Sequence, residues 1–242
     1  MPCHGYTVVA LPFRFTLRHW SVAVSLLQEQ EKLMSLLAQR AKELNYNINI
    51  YRESSCYQWL GHSLGCKYIA LLEFLAEWNE NSEHVRNQIK KNTKRPQVQI
   101  QQIEQSLLDL SISFKDQKSI LMAPEISNTE DAVKIPLLPL LLDNLGLGVI
   151  PTKQETFDLI KQSNLFNLTK MVSFKNDKIA GSKLVTDKTV GKLLKILGSK
   201  LLHKEVEGKH LRPVGLEIGG RVIGPIASPP QQLIPLLFNF LK

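Results

Sequence analysis

Five residues constrain this chain more than any other stretch: Gly61-His62-Ser63-Leu64-Gly65. They spell G-x-S-x-G, and a bare motif of that kind arises by chance in roughly one chain in ten of this length. The flanks therefore carry the reading. Tyr57, Gln58, Trp59 and Leu60 come before it, a short run suited to the end of a buried strand. Cys66 to Trp78 comes after it, rich in helix formers, with apolar residues at Ile69, Leu72 and Leu75. Strand, sharp turn and helix form the setting in which a serine is held in a strained backbone conformation with its hydroxyl outward. Gly61 and Gly65 lack a Cβ, which predicts a close approach of strand and helix on either side. A helix starting at Ser63 favours negative charge at its N-terminus, and the Leu64 N–H is the expected oxyanion donor.

Composition bounds the rest. A length of 242 residues fits one α/β domain or two small ones, and 43% hydrophobic residues suffice for a sizeable core. The formal net charge of +8 suits anionic surroundings such as an anionic membrane surface, or a solvated lysine-rich surface. Lys90, Lys91, Lys94 and Arg95 form the one dense basic cluster, without interleaved aromatics, so no nucleic-acid partner is expected. Three cysteines, Cys3, Cys56 and Cys66, lack C-x-x-C spacing, which argues against a disulfide framework and a zinc site and fits a reducing, cytoplasmic interior. No apolar run approaches the ~20 residues of a membrane span. The N-terminus has no basic region followed by a long apolar stretch, so no signal peptide is expected. No metal cluster, phosphate loop or nicotinamide fingerprint is present, and no cofactor is expected.

Along the chain, Tyr6 to Leu11 is a near-continuous apolar run, read as a strand covered on both faces and closed by Pro12. Ser21 to Leu44 has a helical apolar period. Asn79 to Pro96 is polar and basic, a loop or a solvated helical extension, and Val98 to Leu110 regains a helical period. Ser119 to Met122 reads as a third strand, with Pro124 and Glu125 at its end. Ile135 to Leu168 is leucine-rich and proline-punctuated, two or three short helices. Lys170 to Phe174 is a fourth strand with Lys175-Asn176-Asp177 as its exit. Lys183 to Leu197 is a helix, Leu201 to Val206 a fifth strand left through Gly208-Lys209-His210, and Gln231 to Leu241 a last helix. The expected fold is α/β, a mostly parallel sheet flanked by helices, with the serine at the C-terminal edge where active sites of open sheets lie.

The strand–Gly61-His62-Ser63-Leu64-Gly65–helix unit resembles the α/β-hydrolase fold. The longer wording Gly61 to Lys67, with Gly5-Tyr6-Thr7-Val8-Val9-Ala10-Leu11-Pro12 upstream, is similar to an uncharacterised hydrolase-like family of cyanobacteria and plastids, a domain of unknown function. The resemblance covers most of the chain. It implies the chain order serine, acid, histidine, with the acid after a late strand and the histidine after the last. Ser63, Asp177 and His210 match that order. Glu125 is the alternative acid, one strand earlier. His203 lies inside a strand, and His4, His19 and His84 fall far from the expected site. His62, the variable elbow position, is expected to pack beside the serine.

Hydrolases of this fold carry further strands ahead of the first one here, and a loop after one of them supplies a second oxyanion N–H. The stretch from Met1 to Gly5 reads as the link beyond that loop, so this chain is expected to lack the N-terminal strands. Losing one oxyanion donor costs about 100–1,000-fold in rate. Residues 135–168 lie where hydrolases insert a helical cap, and their leucines either line an acyl pocket or pack only on the sheet.

Two readings follow. One is a serine hydrolase acting on a small-molecule or lipid acyl substrate: an ester, a thioester or a lipid acyl bond. The other is a non-catalytic hydrolase-like protein that binds a partner or an anionic membrane surface.

Overall fold

Strands that are apolar on both faces need neighbours on both sides and helices above and below. The computed structural model, which describes residues 7–14, 16–107, 117–133, 135–163, 169–211 and 213, meets that demand with one four-stranded sheet. Its strands are β1 (Gln58–His62), β2 (Lys118–Met122), β3 (Thr169–Phe174) and β4 (Leu202–Val206). They lie side by side in the order β1-β2-β3-β4, all parallel. The register sets His62 beside Met122, Met122 beside Val172, and Phe174 beside Val206. All C-terminal ends therefore reach one edge. Ile120, Leu121, Met171, Val172 and Phe174 in the two central strands are buried.

Helices fill the connections. They are α1 (His19–Glu43), α2 (Gly65–Leu75), α3 (Trp78–Asn92), α4 (Pro96–Leu107), the single turn α5 (Thr129–Ala132), α6 (Leu138–Leu145), α7 (Lys153–Gln162) and α8 (Thr189–Leu197). In α2 every residue from Cys66 to Leu75 is buried, including Lys67 and Glu73. A helix apolar on all sides belongs in the middle of a core, and α2 packs on β1, β2, α1 and α7. α1 buries Trp20, Ala23, Val24 and Leu27 along one face. The basic stretch read as loop or solvated helix is helical. Only Val85 and Ile89 of α3 are buried, and the helix is kinked at Asn81.

Several expectations are corrected. Residues 7–11 form no strand: Val8 is 55% exposed and Val9 42%, and neither pairs with another segment among the described residues. A strand is held by its ladder partners, and among the described residues β1 has β2 as its one neighbour. Among those residues β1 is also less buried than its sequence suggests, with Leu60 44% exposed. It also runs two residues further, to His62. The helix read from Lys183 begins only at Thr189. Residues 183–188 turn back across its first turn instead, where a Cβ on Gly191 would lie 2.4 Å from the Val185 carbonyl.

The segment read as a cap divides in two. α6 buries only Pro139 and leaves Leu140, Leu141 and Leu145 exposed. α7 buries Phe157, Leu159 and Ile160 and packs on the helices α2, α3 and α8. Residues 108–110, 164–168 and the last helix, 231–241, lie outside the described residues.

Candidate active site

Ser63 stands between the last residue of β1 and the first turn of α2, with φ at +54°. A non-glycine residue in the left-handed region is strained and persists only when its surroundings hold it. The holders are visible. The Ser63 N–H donates to the Met122 carbonyl at 3.1 Å, and the Ser63 carbonyl accepts from Cys66 N–H at 3.0 Å and Glu125 N–H at 3.1 Å. The turn is thus fastened to the end of β2 from both sides.

The two elbow glycines differ. A Cβ on Gly61 would lie 2.8 Å from Ile69 Cδ1 and 3.0 Å from the Cys66 nitrogen, so the crossing of strand and helix requires glycine there. A Cβ on Gly65 would meet only the Phe13 ring, at 4.0 Å. The expected close approach on both sides holds for Gly61 and fails for Gly65.

Three side chains from three strand ends meet at the turn. His210 Nε2 is 2.8 Å from Ser63 Oγ. His210 Nδ1 is 2.8 Å from Asp177 Oδ2. An ionised carboxylate only accepts, so Nδ1 carries the proton and Nε2 is left to accept from the serine hydroxyl. The other carboxylate oxygen of Asp177 accepts from Ile179 N–H at 2.8 Å and Ala180 N–H at 2.9 Å. These two bonds, in a turn leaving β3, fix the carboxylate independently of the histidine. The Asp177 side chain is fully buried and that of His210 nearly so.

Glu125 is close but does not orient the histidine. Its carboxylate lies 3.7 Å from Lys153 Nζ, and its Oε2 is buried without a partner. Burial pushes its carboxyl above the usual range, against the pull of Lys153. The alternative acid therefore contributes to the wall behind the elbow, while Asp177 makes the contact.

No side chain caps the N-terminus of α2. The Leu64 N–H thus stays beside Ser63, where an anionic oxygen would benefit. Phe13 packs edge-on against Tyr68 of α2, with ring centroids 4.8 Å apart, so the segment before α1 passes close to the same helix end.

The other histidines separate cleanly. His203 is bonded to Ser173 Oγ at 2.8 Å within the sheet. His19 is buried, and its pKa is pushed down to about 3 by burial and by Lys67. His84 is exposed. His4 lies outside the described residues. His62 does pack beside the serine's partner, with Nε2 2.8 Å from the main-chain oxygen of His210. Sequence reasoning missed that tie, and it missed Lys67. Lys67 Nζ is wholly buried and donates to the carbonyls of Ser127 at 3.1 Å and Pro151 at 2.7 Å. The signal was present in the sequence, a lone lysine in an apolar helix.

A family model described as "Protein of unknown function (DUF1350)" matches residues 1–233. The chain belongs to the DUF1350 family. No curated protein and no solved structure matches it. In this DUF1350 protein the residues gathered at the sheet edge are a serine, a histidine and an aspartate joined by two contacts of 2.8 Å. Among the described residues no group of three or more His, Cys, Asp or Glu side chains is arranged to hold a metal ion. No described helix is long and apolar enough to cross a membrane.

Proposed function

We propose that this protein is a serine hydrolase of the α/β-hydrolase type, cleaving an ester, a thioester or a lipid acyl bond. The observation that carries the reading is the unbroken chain from Ser63 Oγ through His210 to Asp177, with both links at 2.8 Å. The serine hydroxyl is a weak nucleophile at neutral pH and needs a base. His210 takes its proton as Oγ attacks the acyl carbon. The imidazolium so formed is stabilised by the Asp177 carboxylate, which also holds the reactive tautomer. The carbonyl oxygen becomes an oxyanion, and the Leu64 N–H with the N-terminus of α2 supplies favourable charge for it. His210 then returns the proton to the leaving alkoxide or thiolate. Water, deprotonated by the same imidazole, releases the acid and restores Ser63.

The test is labelling of the full chain by a fluorescent alkyl fluorophosphonate. Wild type should be labelled and Ser63→Ala should not. Equal labelling of the two, or none of the folded wild type, would remove the reading.

The surroundings favour an apolar acyl group. Leu137, Leu140, Leu141 and Leu145, from the segment after β2, are more than half exposed, as are Ile179 and Leu184 in the loop after β3. Both segments leave the sheet edge that carries Ser63. The same exposed leucines favour the second reading, a non-catalytic protein that rests on a lipid surface or partner. Vesicle flotation with Ser63→Ala separates the two, because binding without wild-type labelling would support only the latter.

A further inference from the structure

His62 is the variable residue of the elbow and takes no part in the proposed chemistry. Its ring nonetheless lies against that of His210, with centroids 5.3 Å apart. Its Nε2 is 2.8 Å from the His210 main-chain oxygen. A carbonyl can only accept, so His62 Nε2 must carry a proton and donate it.

The bond joins two parts of the site that nothing else described joins through the main chain. His62 is the last residue of β1 and the neighbour of Ser63. His210 follows β4, 148 positions later. The exit of β4 is tied to that of β3 by Lys175 N–H to the Val206 carbonyl and Asn176 N–H to the Gly208 carbonyl, both 3.0 Å. Those ties stop at Gly208, whose φ is +145°. Two residues further on, the imidazole must bridge Ser63 and Asp177 with both its nitrogens. Among the described residues, the His62 bond is what holds the main chain there.

The geometry points to His62 as a positioning residue, whose Nε2–H holds the His210 carbonyl and so keeps the imidazole in line between Ser63 and Asp177. This rests on the serine-hydrolase reading. Burial lowers the pKa of His62, which agrees with a neutral ring locked in one tautomer. A histidine in the second position of the motif therefore selects the placement of the base, a role that leaves the substrate untouched.

The experiment uses the full chain, the fluorescent alkyl fluorophosphonate, and the variants His62→Gln and His62→Met. Glutamine carries an N–H as many bonds from Cβ as imidazole Nε2 does, and methionine has similar length without a donor. His62→Met should slow labelling of Ser63 by about tenfold or more, toward the ~100-fold that an ångström of misplacement costs. His62→Gln should recover most of that rate, with both melting midpoints near that of wild type. Wild-type rates in His62→Met, or equal losses in the two variants, would overturn the proposal. Should His62→Met fail to fold, the imidazole nitrogen spectrum of wild type decides instead: the Nε2–H tautomer is expected at His62, and the Nδ1–H tautomer sinks the idea. Absent labelling of folded wild type would count against the hydrolase reading, leaving the His62 contact to be judged by the nitrogen spectrum alone.

Discussion

Asp177 Oδ2 lies 2.8 Å from His210 Nδ1, although the two residues leave different strands and stand 33 positions apart. The parallel pairing of β3 with β4 closes that gap. With Phe174 beside Val206 in register, the two exits begin level and turn toward the same neighbour, Ser63. The carboxylate is already held by two backbone N–H groups of its own turn. It therefore offers the histidine a fixed acceptor.

Asp177→Asn should lower acyl turnover and probe labelling on the order of 10³–10⁴-fold with the fold retained. The amide favours the wrong imidazole tautomer and no longer stabilises the imidazolium. Its oxygen can still accept the turn N–H groups, so melting should shift little. A loss in Glu125→Gln that Asp177→Asn does not share would transfer the acid's role to Glu125.

Glu125→Gln is expected to leave labelling within a few-fold and to stabilise the protein at mildly alkaline pH. Burial raises the folded pKa of Glu125 above 4.5, so the folded chain holds its proton more tightly than the unfolded chain. The folded state is then penalised as pH rises past the unfolded value, and glutamine removes the penalty. Melting of both proteins across pH is the measurement. A lower midpoint for Glu125→Gln at mildly alkaline pH would show that the Lys153 contact outweighs burial.

Gly61→Ala and Gly65→Ala should part company. The first forces a methyl against the Cys66 nitrogen and Ile69, a steric cost of about 1–3 kcal/mol, and should also slow labelling by displacing Ser63. The second meets only a ring at van der Waals distance and replaces glycine with a better helix former. Urea unfolding of both checks this, and equal costs would refute the crossing argument.

Lys67 makes stability depend on alkaline pH. Burial pushes its pKa from 10.5 down to about 7. Between those values the unfolded chain binds the proton and the folded chain does not, so stability rises with pH across that window and is lost as pH falls through 7. The stability of wild type minus that of Lys67→Met should climb with pH, at a limiting slope of roughly 1.4 kcal/mol per pH unit. A flat difference would mean that the ammonium stays charged against the Ser127 and Pro151 carbonyls.

Much of this was legible in the sequence, because it depends on local order. Strand, glycine turn and helix around Ser63 are spelled out within about twenty residues, and their geometry follows from which residues carry a Cβ. The runs at Ser119–Met122, Lys170–Phe174 and Leu201–Val206 carried their own burial pattern, and the order implied by the resemblance to the α/β-hydrolase fold pointed to Asp177 and His210 on strand exits. What depends on partners was not legible. Residues 7–11 have strand-like composition but no ladder neighbour among the described residues, and composition cannot supply one. Gly65 and Gly61 look alike as letters; only the path of Ile69 and Phe13 tells them apart. His62 gained its role from a carbonyl 148 positions away, and Lys67 its buried place from two carbonyls in distant loops. Side-chain chemistry is written locally, but hydrogen bonds between remote segments exist only once the sheet has brought those segments together.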